Sequence, residues 1–272
     1  MKNILVVITT AFVPTGGLTT VMMNYYRMMN KEEVKIDFAS TNNPPQVLLD
    51  EIHASGSEYC QLPDRKNVLA YFFALKKLCR GYDGMHVHAN SAMAVMELQA
   101  AIWAGIKIRI IHNHSSRSQH NLLNQLFLSL YRRSFTQAVA CSDEAGEWLY
   151  GKNGFITLRN AINAKRFKFD VVKRLIMRHN FGFGDDEYVI GHIGKFMEAK
   201  NHPFLIEVFT KYHALQPKSK LLLIGDGELR HLVEAAIDKN KVNDCVILAG
   251  LRSDIPDVLQ AIDIFLFPSI YE

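Results

Sequence analysis

Four cysteines, Cys60, Cys79, Cys141 and Cys245, are scattered through 272 residues with no Cys-x-x-Cys pair among them. That spacing offers neither a zinc ribbon nor a disulfide framework, and it fits a reducing cytosolic compartment. No apolar run reaches the roughly 18 residues of a membrane-spanning helix. The opening MKNILVVITTAFVP has one lysine and a short apolar stretch. Its β-branched residues and the glycine pair that follows read as a first strand and turn rather than a secretory leader. Also missing are Gly-x-Gly-x-x-Gly, the P-loop lysine with its hydroxyl, and any Asp-x-Asp. The commonest nucleotide fingerprints are therefore excluded, and with no Asp-x-Asp a metal-free site is expected, with no cofactor.

What is present is an ordinary globular composition, 49% hydrophobic and 21% charged, on a chain long enough for two domains. Short strand-like runs alternate with amphipathic segments. The runs NILVVIT (3–9), VKIDFAS (34–40), GMHVHA (84–89), KIRIIHN (107–113) and QAVACS (137–142) read as strands, and 18–30, 68–80 and 92–105 as helices. Such alternation predicts an α/β fold in which parallel sheets are covered by helices on both faces. The pattern breaks at 155–170 and restarts at YVIGHIG (188–194), with further strands at 220–227, 245–251 and 264–269. Two doubly wound domains are expected, 1–165 and 166–272, the second with only about four strands. Residues 1–170 hold 19 Lys and Arg against 13 Asp and Glu, whereas 171–272 hold 12 against 14. The basic excess of the first half points to an anionic partner or a solvated charged face. No aromatic and basic platform or known module supports nucleic acid as that partner.

Five segments carry candidate chemistry. Gly16 and Gly17 lie between the first strand and first helix, where a ligand can approach the backbone and helix N–H groups favour anions. In GHIGKFMEAKNH (191–202), Lys195 and Lys200 follow a strand at its carboxyl edge and can hold the charge of a departing diphosphate. In LLLIGDGELR (221–230), Gly225-Asp226-Gly227 reads as a tight turn with Glu228 in the first helical turn, where its charge suits the dipole. His86, His88, His112 and His114 stand as two His-x-His pairs at strand ends. Each pair shares a sheet face and can in principle bind zinc, but neither has a third ligand beside it in sequence. A structural role is expected for His86 and His88, and an acid/base or orienting role for His114. In 116–135, Leu122, Leu123, Leu126, Phe127, Leu130 and Tyr131 recur at helical spacing beside Arg117, Arg132 and Arg133. Core packing accounts for that face most simply, and contact with an anionic membrane surface is the alternative.

In order, PTGGLTTV, HVHANS, RIIHNHSS, AVACSDEAGEWL, LRNAINAKRF, IGKFMEAKNH, LLLIGDGELR and VILAGLRSDIPDVLQAIDIFLFPSIYE cover nearly the whole chain. Together they resemble the GT-B retaining glycosyltransferases (glycosyl transferases group 1, family 4), which include bacterial capsule and exopolysaccharide enzymes. The resemblance implies two Rossmann-like domains, an acceptor-side 1–165 and a nucleotide-sugar-binding 166–272. It implies transfer of a hexosyl unit from a nucleotide diphosphate sugar to a hydroxyl acceptor with retention, the acceptor being a lipid-linked saccharide in polysaccharide biosynthesis. It places Gly16 and Gly17 at the donor phosphates, Lys195 and Lys200 at the diphosphate, Gly250 and Leu251 at the base pocket, and His114 near the transferred sugar. The family has an arginine where Lys195 stands, so a point charge replaces a bidentate fork. In RNAIN, Ala161 and Asn163 replace a glycine and an aspartate of the family pattern. The family also has a glutamate pair after its Pro-Ser strand. Glu272 matches the first, which contacts the sugar, so the second domain is expected to be incomplete. The location implied is cytoplasmic, with a peripheral position at the inner face of the plasma membrane through 116–135. Two other readings remain at this point: a GT-B sugar-nucleotide epimerase, and a truncated, non-catalytic binding fragment.

Overall fold

The computed structural model describes residues 1–14, 16–116 and 121–270. The chain divides into two units, 1–162 and 163–272. Segment 168–170 is tied into the second of these, because the Gln260 side chain donates to the Lys168 carbonyl (3.3 Å) and accepts from the Asp170 N–H (2.9 Å).

Unit 1 runs β1 (Lys2–Ile8), α1 (Gly17–Met28), β2 (Val34–Ser40), α2 (Gln46–Ala54), β3 (Tyr59–Gln61), α3 (Val68–Cys79), β4 (Gly84–Ala89), α4 (Val95–Trp103), β5 (Ile108–Asn113), α5 (Asn121–Ser134), β6 (Gln137–Ala140), α6 (Asp143–Tyr150) and β7 (Phe155–Thr157). Its sheet has the order β3-β2-β1-β4-β5-β6-β7. Strand order reverses between β1 and β4, and a doubly wound sheet opens its binding crevice beyond the carboxyl ends of the strands at that point. Alternation along β1 sends Leu5 and Val7 into a core with α3, α4, α5 and α6, while Val6 and Ile8 join Met22, Met23, Phe38 and Ile52 under α1 and α2. In the parallel register Val6 stands beside His86 and Ile8 beside His88, and His88 stands beside His112. The histidines thus share the α1/α2 face of the sheet. After β7 the chain returns to α1, whose Asn24 amide donates to the Ala161 carbonyl (3.0 Å) and whose Tyr25 hydroxyl donates to the Arg159 carbonyl.

Unit 2 comprises α7 (Val171–Phe181), β8 (Tyr188–Ile193), α8 (His202–Leu215), β9 (Ser219–Ile224), α9 (Arg230–Asn240), β10 (Val246–Gly250), α10 (Ile255–Val258) and β11 (Ile264–Phe265). Its strand order, β10-β9-β8-β11, reverses between β8 and β11. Ile190, Leu221 and Leu223 pack under α8 and α9, and Val189, Leu222 and Ile224 face α7 and Val258. Helix α7 starts where the Asp170 carboxylate accepts from the Val172 and Lys173 N–H groups, and it ends at Gly182 in the left-handed region. Two arginines fasten it to the sheet. Arg174 and Arg178 both reach Asp263 (2.5 and 3.3 Å), whose carboxylate also accepts from the Val189 N–H at the start of β8 (2.7 Å).

Among the described residues every strand pair is parallel, and no helix is long and apolar enough to cross a membrane.

Candidate active site

The loop after β8 carries both lysines and is built on contact with the loop after β9. The Phe196 N–H donates to the Asp226 carbonyl (3.0 Å), and the Leu229 N–H donates to the Phe196 carbonyl (3.1 Å). Gly225 sits at φ +141°, and a Cβ there would lie 2.0 Å from the Gly194 carbonyl oxygen. Only glycine allows the two backbones to approach so closely.

This contact also moves Glu228. The sequence expectation put it in the first turn of α9, but the turn closes on Phe196 before the helix begins at Arg230, so Glu228 stands ahead of the helix. There it accepts from Lys195 Nζ (2.7 Å), and that bond holds its carboxyl below the ordinary glutamate range. Lys200 lies with its ammonium 5.1 Å over the ring of Phe267, just beyond β11. The Ile270 N–H donates to the Ala199 carbonyl (2.8 Å), so the segment after β11 is fixed against the lysine loop. Lys195, Lys200 and the Phe267–Ser269 segment therefore gather at the carboxyl ends of β8 and β11, at the reversal point of this sheet. Beneath them His202, the first residue of α8, is 1% exposed with Nε2 unpartnered, its ring edge-on to His192 and Phe196. Burial, followed by the charges of His192 and Lys200, holds it down at about 4. Gly250, at φ +65°, ends β10 and accepts from the Gly225 N–H (2.9 Å), and Leu251 beside it is exposed.

In unit 1, Gly16 caps α1 with an extended backbone, and neither a capping side chain nor an acidic residue occupies the first turn. A Cβ on Gly16 would press on the Val13 carbonyl oxygen at 3.2 Å, whereas one on Gly17 would meet nothing within 4 Å. An uncapped helix start after β1, beside the reversal point, suits an anion.

The four histidines form one continuous stack across β4 and β5. Ring centres are 4.3 Å apart for His86 and His88, 5.0 Å for His88 and His112, and 4.2 Å for His112 and His114. His88 Nδ1 and His114 Nε2 share a hydrogen bond of 2.9 Å. Burial holds His86 and His114 down at about 4 and His112 at about 2, and pushes His88 well below its usual value. All four are neutral at physiological pH, so His114 is equipped to accept or relay a hydrogen bond rather than to carry charge. Reading the sequence as two separate pairs missed the stack. The available signal was that both pairs end adjacent strands of one parallel sheet, and register then puts His88 against His112.

On α5 the core side is held by Asn124 and Tyr131, while Leu122 (84%), Leu126 (71%) and Leu130 (49%) face outward at four-residue intervals. The simpler expectation of core packing therefore fails for this stripe. Two other expectations, the sugar contact of Glu272 and the arginine Arg117, lie outside the described residues.

Residues 173–272 match the family described as Glycosyl transferases group 1. The chain is 28% identical to the putative glycosyltransferase EpsF of Bacillus subtilis, over 94% of this chain and 71% of that protein. It is 24% identical, with the same coverage, to the UDP-Gal:alpha-D-GlcNAc-diphosphoundecaprenol alpha-1,3-galactosyltransferase of Escherichia coli. Among solved structures, HepE of Anabaena in complex with UDP and glucose matches with a TM-score of 0.82 at 17% identity, over 99% of this chain and 74% of that one. At that identity the match shows a shared fold.

Proposed function

We propose that this chain, which carries a group 1 domain on a GT-B-like fold, is a glycosyltransferase that moves a hexosyl unit from a nucleotide diphosphate sugar to the hydroxyl of a lipid-linked saccharide, with retention at the anomeric carbon. The observation that carries this reading is the position of Lys195 and Lys200 at the β8/β11 reversal point. Two ammonium groups there meet the charge that grows on the diphosphate as the bond from the anomeric carbon to its oxygen breaks. They supply that charge without a divalent ion, so the transfer step calls for no metal and no cofactor. Lys195 reaches the phosphates by leaving Glu228, an exposed surface pair and therefore a weak one.

The acceptor oxygen bonds to the anomeric carbon on the face the diphosphate leaves, and its proton passes to a diphosphate oxygen. Neutral His114, with Nε2 held by His88, orients the sugar and acceptor. In unit 1 the open α1 N-terminus at Gly16 and Gly17 suits phosphate oxygens, and in unit 2 Gly250 and Leu251 at the end of β10 suit the base. The diphosphoundecaprenol acceptor in the name of the Escherichia coli relative supports a lipid-linked acceptor here. The outward stripe of Leu122, Leu126 and Leu130, with exposed Arg132 and Arg133 following, supports peripheral binding to an anionic inner membrane face from the cytoplasmic side.

The test is incubation with UDP-, GDP- and ADP-hexoses and a polyprenyl-diphosphate saccharide. Expected are nucleoside diphosphate release that depends on acceptor and a lipid product heavier by one hexose, with the donor's anomeric configuration. An altered free nucleotide sugar without acceptor would identify an epimerase instead. Equal sedimentation with neutral and anionic vesicles would remove the membrane contact.

A further inference from the structure

The histidine stack has the donor set and spacing of a transition-metal site. We propose that His86, His88 and His112 bind one divalent first-row transition ion, with zinc the best fit, on the α1/α2 face of unit 1. The third ligand that each His-x-His pair lacks along the chain is supplied across the sheet, since β4 contributes His86 and His88 while β5 contributes His112 in register with His88.

One ring nitrogen of each residue lies within 4.8 Å of the other two. Three imidazoles on a tetrahedral ion, at about 2.05 Å from each nitrogen, would hold their ring centres about 5.2 Å apart. The observed separations are 4.3, 5.0 and 5.6 Å. The strands thus set the rings near that spacing, and the stacked rings would have to turn about χ2 for their lone pairs to converge on one ion.

The nitrogens are available for this. His86 Nε2 and both nitrogens of His112 are buried without a hydrogen-bond partner, and His112 is 1% exposed. Unpaired buried polar atoms are rare, and coordination would satisfy them. Burial keeps the rings neutral, the form that binds metal. A ligand set of imidazoles alone favours zinc, copper or nickel over the oxygen-seeking magnesium and calcium. His86 is the least buried of the three, and three imidazoles on a tetrahedral ion would leave one position for water.

The His88–His114 hydrogen bond is the outer contact expected of a metal-bound imidazole. Coordination through Nε2 of His88 leaves its proton on Nδ1, donated to His114 Nε2, so the neutral His114 ring carries its own proton on Nδ1. The ion would therefore fix the tautomer of His114. The site stands on this geometry alone and does not depend on the transferase reading.

The test titrates the EDTA-treated full chain with Co²⁺, read by the visible bands of tetrahedral cobalt, and then with Zn²⁺, read by metal content and thermal midpoint. Expected are one cobalt per chain, its displacement by zinc, and a zinc-dependent rise in midpoint. His112→Leu and His86→Asn should each weaken binding at least tenfold, and His53→Asn, on the surface of α2, should leave it unchanged. Without metal, His112→Leu should melt no lower than the parent, because it removes two unpartnered buried nitrogens. If His112→Leu fails to fold, His86→Asn decides alone. No cobalt bands at about 100 µM metal, where a site tight enough to stabilise the fold would be filled, would overturn the proposal. So would binding that survives the substitutions that fold.

Discussion

Lys195 shows how far one residue's role depends on its neighbour. Its ammonium rests on Glu228, both side chains largely exposed. Exposed pairs of this kind are weak, so releasing it should cost little and would free a charge for the proposed diphosphate site. Glu228→Gln is expected to lower the KM for the nucleotide sugar by up to about fivefold. Lys200→Ala is expected to lower kcat/KM by about a hundredfold, the usual penalty for removing one charge-stabilising donor. Steady-state kinetics check both, and a raised KM in Glu228→Gln would mean that the carboxylate positions Lys195 rather than restrains it. His202 supports a second prediction. In the unfolded chain an imidazole protonates near 6.5, whereas the fold holds His202 at about 4. Below pH 6.5 the unfolded state takes up a proton that the folded state refuses, so stability is lost as pH falls from about 6.5 to about 4. Unfolding free energies from urea titrations at pH 7, 6 and 5 should fall more steeply for the parent than for His202→Leu, by up to about 1.4 kcal/mol per pH unit. Parallel curves would rule this out. At this scale the sequence placed Lys195, Lys200 and the two His-x-His pairs at or just beyond the carboxyl ends of strands, as the structure does. It could not show the Lys195–Glu228 bond or the burial of His202, because both arise from loops brought together by β8, β9 and β11.

At the scale of elements, legibility followed length and periodicity. VKIDFAS and GMHVHA read as strands with the bounds the structure gives them, since long buried runs in a parallel sheet leave little choice. The three-residue edge strand β3 went unread because Tyr59–Gln61 is too short for a pattern. Helix α2 was missed behind a proline pair, and α7 because Lys173, Arg174 and Arg178 interrupt its apolar residues. Those arginines hold α7 in place, and Asp263 is where they converge. Arg178 keeps only 5% of its side chain exposed and also donates to the carbonyls of Gly184 and Glu187. Asp263→Ala would leave that guanidinium without its counter-charge and the Val189 N–H without its acceptor. Breaking a buried pair from one side costs about 3–5 kcal/mol. The expected result is a loss of about 3 kcal/mol in urea unfolding, and a change below 1 kcal/mol would show that water replaces the carboxylate.

For the whole molecule, both sheets follow one rule: three strands laid outward in one direction, then a return to the other side of the first. The parallel, doubly wound arrangement was legible from the alternation of strands and helices, and the strand order came with the structure. Histidine register, loop contact and the outward stripe of α5 were not, because each depends on which strands become neighbours. The all-parallel pairing has a further consequence, in time rather than space. Among the described residues no two strands are joined as a hairpin, so no sheet contact forms until a crossover helix has been closed behind it. Loop closure must precede every gain from strand pairing, and refolding from urea should be slow for the size of each unit, with phases from milliseconds to seconds in stopped-flow fluorescence. Complete recovery within tens of microseconds, as in bundles held by local contacts, would contradict it.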